Sequence, residues 1–587
     1  MTRRAIHSWL GCLAVAGLLS LHAGCSAARY RQSADREAYR LISEKSRKVD
    51  NMERKFTIEQ TNRWEIDALP ARPGAVDFLG DFGSAEDGAH VVSLKDALAL
   101  ATIKSRVYQS RREQLYLSSL SLSLARHQWT PLFSAGASAR YDVNTETALL
   151  LIPDPNNPNQ PKAVLSDSLV AQHKFNESSR INAGWLIRDI GRVSTAFTTD
   201  FLRFLTGDPR SLSRSQLSAT FARPLLRNAS YKQQMENLTQ AERDLLYDIR
   251  DFTRFRKEFS VQVASAFYSV LGNRDTARNS FQNLKSSEKN AELTRALAAE
   301  GRIAQAELGR LEQQQLSVES AWINSVRAYR QALDDFKILL GVSVDARIAL
   351  DDAELEALKI QRPRIDLNDA VAVALTARLD FQNTRDQYAD SARKVGVAKN
   401  ALNAQLDLIA NASLNSGPDS PKGLPLPSPS RYSWNAGLDV DLPLDRKLER
   451  NNYRASLIAV DRASRDLSLK QDQIKQQIRD SHRALEQAER NFEIAEGAVK
   501  LAQRRVEEQN LLAEVGRAKA QDQVDAQNAL NDAKNQRTQA LVGHTVSRLQ
   551  FWSNMGILFI KEQGEWEERD PAKALKNAEE RTPNEKN

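Results

Sequence analysis

The sequence predicts a mainly α-helical chain with a small membrane β part, built by duplicating one unit of helix, two strands and a long helical hairpin. Three observations predict it. Helix breakers are scarce, with 24 Gly and 18 Pro in 587 residues, about 7% where average usage gives roughly 12%. One order of landmarks occurs twice along the chain. Short stretches with a period of two alternate with helical runs far beyond the ~11–12 residues of a mean globular helix.

Composition narrows the classes. Two Cys argue against a disulfide scaffold or a Cys-built metal site. A mean hydropathy of −0.52 argues against a polytopic helical membrane protein. Lys and Arg number 82 against 75 Asp and Glu, a net charge of +7 spread thinly along the chain. Such interleaved charge, in a secreted chain, argues against a nucleic-acid partner. The seven His (His7, His22, His90, His127, His173, His482, His544) show no zinc or triad spacing, and no phosphate loop occurs. No enzyme activity, metal or cofactor is expected.

The elements follow in order. Residues 1–24 read as a signal peptide, with Arg3 and Arg4 before an apolar stretch from Leu10 to Leu21. Ala23-Gly24-Cys25-Ser26 resembles a bacterial lipobox, so Cys25 is the candidate lipidation site. His22 stands where that pattern prefers an aliphatic residue, and ordinary cleavage beside an incidental Cys is the other reading. Each buried acyl CH₂ contributes about 0.8 kcal/mol, so several chains anchor firmly. Ser26 in place of Asp fits outer-membrane sorting. Residues 25–92 form a lipidated periplasmic segment.

The first repeat spans 93–341 and the second 367–560, with an equatorial linker at 342–366 and a polar tail at 561–587. Each repeat opens with a helix, Ser93–Gln128 and Leu367–Asn403. Strands follow, at about 132–143 and 214–223 in the first repeat and about 405–414 and 432–442 in the second. They end at Pro224-Leu225-Leu226-Arg227 and Pro443-Leu444-Asp445-Arg446. The long helices are Ala229–Glu300 and Leu448–Val515, each broken by Gly-Arg at 301–302 and 516–517. Shorter helices, Ala304–Leu340 and Ala518–Phe551, close the hairpins. The Gly-Arg breaks lie 215 residues apart and the Pro-Leu landmarks 219 apart, near-equal offsets that argue for duplication.

Helix lengths suggest an architecture. The two shorter helices of each half together match the long one, 73 residues against 72 and 71 against 68. Seventy-two residues make about 108 Å of helix at 1.5 Å per residue. Short pieces stacked end to end beside a long one describe a hollow cylinder. Leu485, Ala488, Phe492, Ala495, Val499, Ala502 and Val506 recur at spacings of three and four, a coiled-coil seam. Alone, that segment fits any soluble helical hairpin. Asp351-Asp352 reads as a solvated loop, since no His or Cys cluster accompanies it.

The strands alternate apolar with polar residues. Trp434, Ala436, Leu438, Val440 and Leu442 interleave with Ser433, Asn435, Gly437, Asp439 and Asp441; Phe133, Ala135, Ala137, Ala139 and Tyr141 interleave with Ser134, Gly136, Ser138 and Arg140. Membrane barrel strands alternate this way, and so do half-buried soluble strands. The signal sequence, small polar-face residues, and Trp129, Tyr141, Tyr432 and Trp434 near strand ends favour the barrel. Four strands cannot close a barrel, and open edges are costly in lipid, so the chain must oligomerise. Three copies would supply twelve strands. The insert at 144–213 is either an extra hairpin above the membrane or extra barrel strands.

The duplicated order resembles the TolC-like outer membrane efflux protein family (outer membrane factors), lipoprotein type, over about 93–560. Ser93-Leu94-Lys95-Asp96-Ala97-Leu98-Ala99-Leu100-Ala101 looks like the family's helix opening, and Trp129-Thr130-Pro131 like the approach to its first strand. Glu300-Gly301-Arg302-Ile303 and Val515-Gly516-Arg517-Ala518 look like its hairpin tips. The resemblance implies a homotrimer with a 12-stranded β-barrel in outer-membrane lipid and an α-helical coiled-coil tunnel through the periplasm. It implies the exit duct of a tripartite efflux or type I secretion system, with a periplasmic adaptor protein and an inner-membrane pump of RND or ABC type. By the same resemblance, Asp522 and Asp525, with Glu307 in the first half, would line the periplasmic aperture. Gly301, Arg302, Gly516 and Arg517 would meet the adaptor. The rival reading is a structural periplasmic coiled-coil lipoprotein without channel activity.

Overall fold

The computed structural model describes residues 27–59, 66–154, 157–205, 211–301, 304–417, 425–442, 444–514, 517 and 519–570. Two compact units emerge. One comprises Met1–Leu120, Asp244–Tyr388 and Ala463–Asn587, the other Ser121–Arg243 and Ala389–Arg462.

The chain runs α1 (Ala27–Ser46), β1 (His90–Val92), α2 (Leu94–Lys104), α3 (Arg106–His127), β2 (Leu132–Asp154), β3 (Asn157–Ile187), β4 (Gly191–Phe204) and β5 (Ser211–Pro224). It continues as α4 (Tyr231–Gln234), α5 (Glu236–Ala299), α6 (Gln305–Leu340), β6 (Ile348–Leu350), α7 (Ala353–Glu356), α8 (Leu367–Ala377) and α9 (Leu379–Asn400). It ends with β7 (Gln405–Ser416), β8 (Pro427–Asp441), α10 (Lys447–Glu514), α11 (Ala520–Met555), β9 (Leu558–Ile560) and β10 (Trp566–Glu568).

In the helical unit the opening helix of each half starts on a side-chain cap. Ser93 Oγ accepts from Asp96 N at 3.2 Å, and the Asp96 carboxylate accepts from Ser93 N at 3.3 Å, a reciprocal pair that satisfies two otherwise orphaned donors. Asp366 caps α8 through Asn368 N at 3.0 Å. The single helices expected over Ser93–Gln128 and Leu367–Asn403 are each two, broken where Ser105 and Arg378 turn extended. Packing makes the breaks. Gly341 ends α6 at φ +78, and a Cβ there would meet Lys104 O at 2.1 Å. Gly556 ends α11 at φ +80, where a Cβ would meet the backbone of Ala377 and Arg378 at 3.3 Å. In both halves the closing helix stops against the break in the opening helix.

The core is aromatic where α3 meets α5. Tyr108 lies 5.4 Å from Phe259 and 5.9 Å from Phe252, ring centre to ring centre. Farther along, α5 faces α11 through polar pairs: Asn279 with Asn535 at 3.0 Å, Asn283 with Asn528 at 2.8 Å, and Thr538 donating to Asp275 at 2.7 Å. The seam of α10 faces inward at Leu485 and Ala495, both buried. Arg537 of α11 sits over the Phe492 ring at 5.9 Å, and His482 packs on Phe551.

The described segments that precede β1 and follow α11 pack within this unit. Trp322 Nε1 donates to Phe78 O at 2.9 Å, and β1 pairs in parallel with β6. Asn51 exchanges two hydrogen bonds with Ile560, at 2.7 and 2.8 Å. β9 and β10 form a small antiparallel hairpin, placing ordered structure in what reads as the start of a polar tail.

The second unit holds one antiparallel sheet in the order β2-β3-β4-β5-β7-β8. Six strands stand in it, the four expected and two more. The 144–213 insert supplies the outer part of β2, all of β3 and β4, and the start of β5. Tyr141 and Trp434 accordingly lie inside strands of 23 and 15 residues, not near their ends. Beside the sheet, Arg393 grips Glu236 at 2.8 and 3.0 Å and Asp390 at 2.7 Å, tying α9 to α5.

Candidate functional site

Register sorts the sheet's residues by face. Phe133, Ala183, Thr195, Ala219, Ala412 and Trp434 are successive partners across all six strands. Directly paired antiparallel residues share a face, so every second row repeats this face. The adjacent row holds Ser134, Asn182, Ala196, Ser218, Ser413 and Ser433. One face is therefore apolar and aromatic and the other largely small and polar. The polar face knits itself together: Ser138 with Ser178 at 2.8 Å, Asn176 with Asp142 at 2.6 Å, Asn411 with Asn435 at 2.9 Å, and Ser413 with Ser433 at 2.8 Å. The apolar face is bare, with Phe133 79%, Trp434 71% and Tyr432 68% exposed. A half-buried soluble sheet packs its apolar face on a core; among the described residues this one carries no such layer. No helix among the described residues is long and apolar enough to cross a membrane.

The hairpin tips belong to the helical unit. α5 ends at Gly301, φ +72, whose N–H bonds Ala298 O at 3.0 Å. Arg517 is exposed and closes α10 by donating its N–H to Leu512 O at 2.8 Å. Asp522 and Asp525 lie in the first two turns of α11, both exposed, while Val524 and Ala526 between and beside them are buried. Spacing by three puts the two carboxylates on one side of the helix. Gln521 donates to Asp525 at 3.0 Å. Glu307 is half-buried in the first turn of α6. Among the described residues, no hydrogen bond or ion pair joins it to either aspartate. Cys25, Arg302 and Gly516 lie outside the described residues.

Two buried charge clusters escaped sequence reasoning. At the α8–α9 break, Arg378 grips Asp380 through two bonds of 3.0 and 2.8 Å, while Lys470 at 3.0 Å and Arg254 also pair with it. Arg378 reaches on to Gln477 at 2.8 Å and Asn554 O at 3.2 Å. Burial alone would raise the Asp380 pKa. The bonds from Arg378 and the nearby Arg254 charge overcome that and hold it well below the carboxylate range.

In the first half, Arg274 is 1% exposed and bonds Glu86 at 2.8 Å and Asp352 at 2.6 Å. Tyr329 donates to Glu86 at 2.6 Å. Burial raises the Glu86 pKa, but Arg274 and Tyr329 pull it below its ordinary value. Asp352, expected in a solvated loop, is thus an ion-pair partner. Charge runs alone carry no signal for such pairs, because 188 residues separate Glu86 from Arg274.

No protein-family model matches the sequence. No curated protein matches it. Solved structures do match. The CmeC outer membrane channel of Campylobacter jejuni shares 13% identity over 89% of this chain and 95% of its own, at a TM-score of 0.57. VceC, an outer membrane protein of Vibrio cholerae, shares 13% over 79% and 96%, at 0.56. The open-state MtrE outer membrane channel of Neisseria gonorrhoeae shares 13% over 79% and 88%, at 0.56. Duplicated helical hairpins joined to a two-faced sheet thus give this chain the TolC-like outer membrane efflux channel fold.

Proposed function

We propose that the protein is the outer-membrane exit duct of a tripartite efflux or type I secretion system, working as a homotrimer. The sheet carries this reading. It is apolar on one side and polar on the other, with its apolar side bare, as suits a single-layer wall between lipid and a water-filled lumen. The helical hairpins would form the periplasmic tunnel. In a trimer, Asp522 and Asp525 would each form a ring of three carboxylates, which attracts cations and opposes anions; Glu307 would add to the same aperture. Gly301, Arg302, Gly516 and Arg517 would meet a periplasmic adaptor, itself bound to an RND or ABC pump. Acylated Cys25 would hold the chain in the outer membrane of a Gram-negative-type bacterium.

The test is fractionation followed by planar-bilayer recording. A heat-modifiable, detergent-resistant trimer in outer membranes, forming cation-preferring pores, is expected. Asp522→Ala with Asp525→Ala should weaken that preference, and an unchanged preference discards the two as the aperture. Release of the protein by removal of the lipid anchor alone would overturn the duct and favour the structural periplasmic lipoprotein.

A further inference from the structure

The six-stranded sheet has two open edges, β2 and β8, and two of its strands have no counterpart in the second half. The offset between the halves locates them. Ser105 and Arg378, at equivalent helix breaks, lie 273 residues apart, whereas the Pro-Leu sequence landmarks at 224 and 443 lie 219 apart. The first half therefore carries 54 extra residues (273 − 219) between those landmarks, about one long hairpin. We infer that this hairpin is part of the pore wall. Three copies would then close an eighteen-stranded barrel, with β8 of one copy pairing with β2 of the next. This rests on the trimeric duct proposed above.

Four observations carry the inference. First, β4 is paired on both sides along almost all of its 14 residues, from Arg192 to Arg203 with β5 and from Gly191 to Phe204 with β3. A hairpin standing above the membrane would not share rows with β5, β7 and β8. A spanning strand needs roughly 9–11 residues, and β4 exceeds that. Second, the two-faced pattern continues through the extra strands. Trp185, Ile181, Phe197 and Phe201 fall on the apolar face, and Asn182, Arg180, Ser194 and Thr198 on the polar one. Ile181 is 57% exposed, level with Tyr141 of β2 at 56%.

Third, direction is preserved. All neighbours are antiparallel, so with six strands β2 and β8 run in opposite directions. β8 of one copy then meets β2 of the next in antiparallel sense. An insertion of one or three strands would forbid this closure. Fourth, an unpaired edge in lipid strands a row of N–H and C=O groups, each costing several kcal/mol. Both edges must therefore find a partner, and a second copy of this chain presents the complementary one. Beyond Lys174, β3 pairs with β2 alone up to Asn157, so this part stands clear of the wall as a two-stranded projection.

Barrel diameter grows about linearly with strand number, so eighteen strands open an outer mouth about 1.5-fold wider than twelve. The experiment measures nonelectrolyte polymer exclusion from the outer face, in trimers of the whole chain and of a chain lacking residues 155–208. The intact trimer should admit polymers of about 1.5-fold larger radius. Equal cut-offs overturn the inference.

A second measurement on the intact trimer covers a deletion that fails to fold. Phe197→Cys and Thr198→Cys are labelled singly and compared with the unsubstituted chain. Quenching of a label at 197 by spin-labelled acyl chains, with 198 open to a membrane-impermeant thiol reagent, supports the wall. Reaction of both with that reagent overturns it. Failure of the intact chain to form trimeric pores sinks the duct itself, a distinct result.

Discussion

Replacing Asp380 with Asn tests whether the α8–α9 break is held by buried charge. The substitution keeps the side chain's shape and removes its charge. Arg378, at 4% exposure, then stays buried without a carboxylate, facing Gln477, the Asn554 carbonyl and the one amide oxygen left at position 380. Arg254 retains Glu258 at 2.7 Å, and Lys470 is open enough to rehydrate. Removing one partner of a buried pair costs about 3–5 kcal/mol, and the surviving bonds place this case near 3. At 1.4 kcal/mol per tenfold, local opening should become roughly a hundredfold easier.

Amide hydrogen exchange reads this directly at Arg378 N–H, bonded to Ala374 O, and Gln382 N–H, bonded to Arg378 O. Acid supplies a sign check. A carboxyl whose native pKa is depressed contributes stability that is full above its unfolded value of about 3.9 and is lost as pH falls through the native value. Wild-type protection should therefore hold through pH 4 and fall toward the variant's only in stronger acid. Loss of less than about threefold in protection, or variant and wild type keeping the same acid profile, would refute the reasoning.

Other outcomes follow from the same geometry. Glu86→Gln leaves Asp352 as the remaining carboxylate on Arg274 and should cost about 2–4 kcal/mol, exposing Asp77–Glu86 to proteolysis well before the helices. Gly341→Ala puts a Cβ 2.1 Å from Lys104 O at a left-handed backbone, and Gly556→Ala meets its nearest atoms at 3.3 Å; denaturation midpoints should fall more for Gly341→Ala. His544 is buried, with both ring nitrogens unbonded, and burial lowers its pKa against the raising pull of Glu489, while Arg548 lowers it further. Exchange protection along α11 should hold above about pH 6.5, decline below it, and level once pH passes the lowered native value. His544→Leu should flatten that decline.

The duplicated order was legible because each landmark rests on local chemistry. Pro cannot continue a strand or helix interior, and Gly at 301 takes the left-handed conformation that ends α5. The seam on α10 was legible for a similar reason, since a spacing of three and four is a property of one helix. The breaks at Ser105 and Arg378 were not, because a neighbouring helix end makes them. The extra hairpin had left a trace in the sequence, since the repeat openings Ser93 and Leu367 lie 274 apart and the Pro-Leu landmarks 219 apart. Of the candidate site, Asp522, Asp525 and Glu307 lie near the starts of their closing helices, as the repeat implied.

Sequence by itself determined the period of each element, and period is set by which residues a single helix or strand turns to one side. Alternation every second residue made a two-faced sheet, and scarce breakers made helices of 64 and 68 residues. Tertiary structure alone decided the partners. It joined Glu86 to Arg274 and Asp380 to Arg254, and it ran four strands of the first half beside two of the second. Pairing of that kind depends on distances between residues more than a hundred positions apart, and no local propensity encodes them.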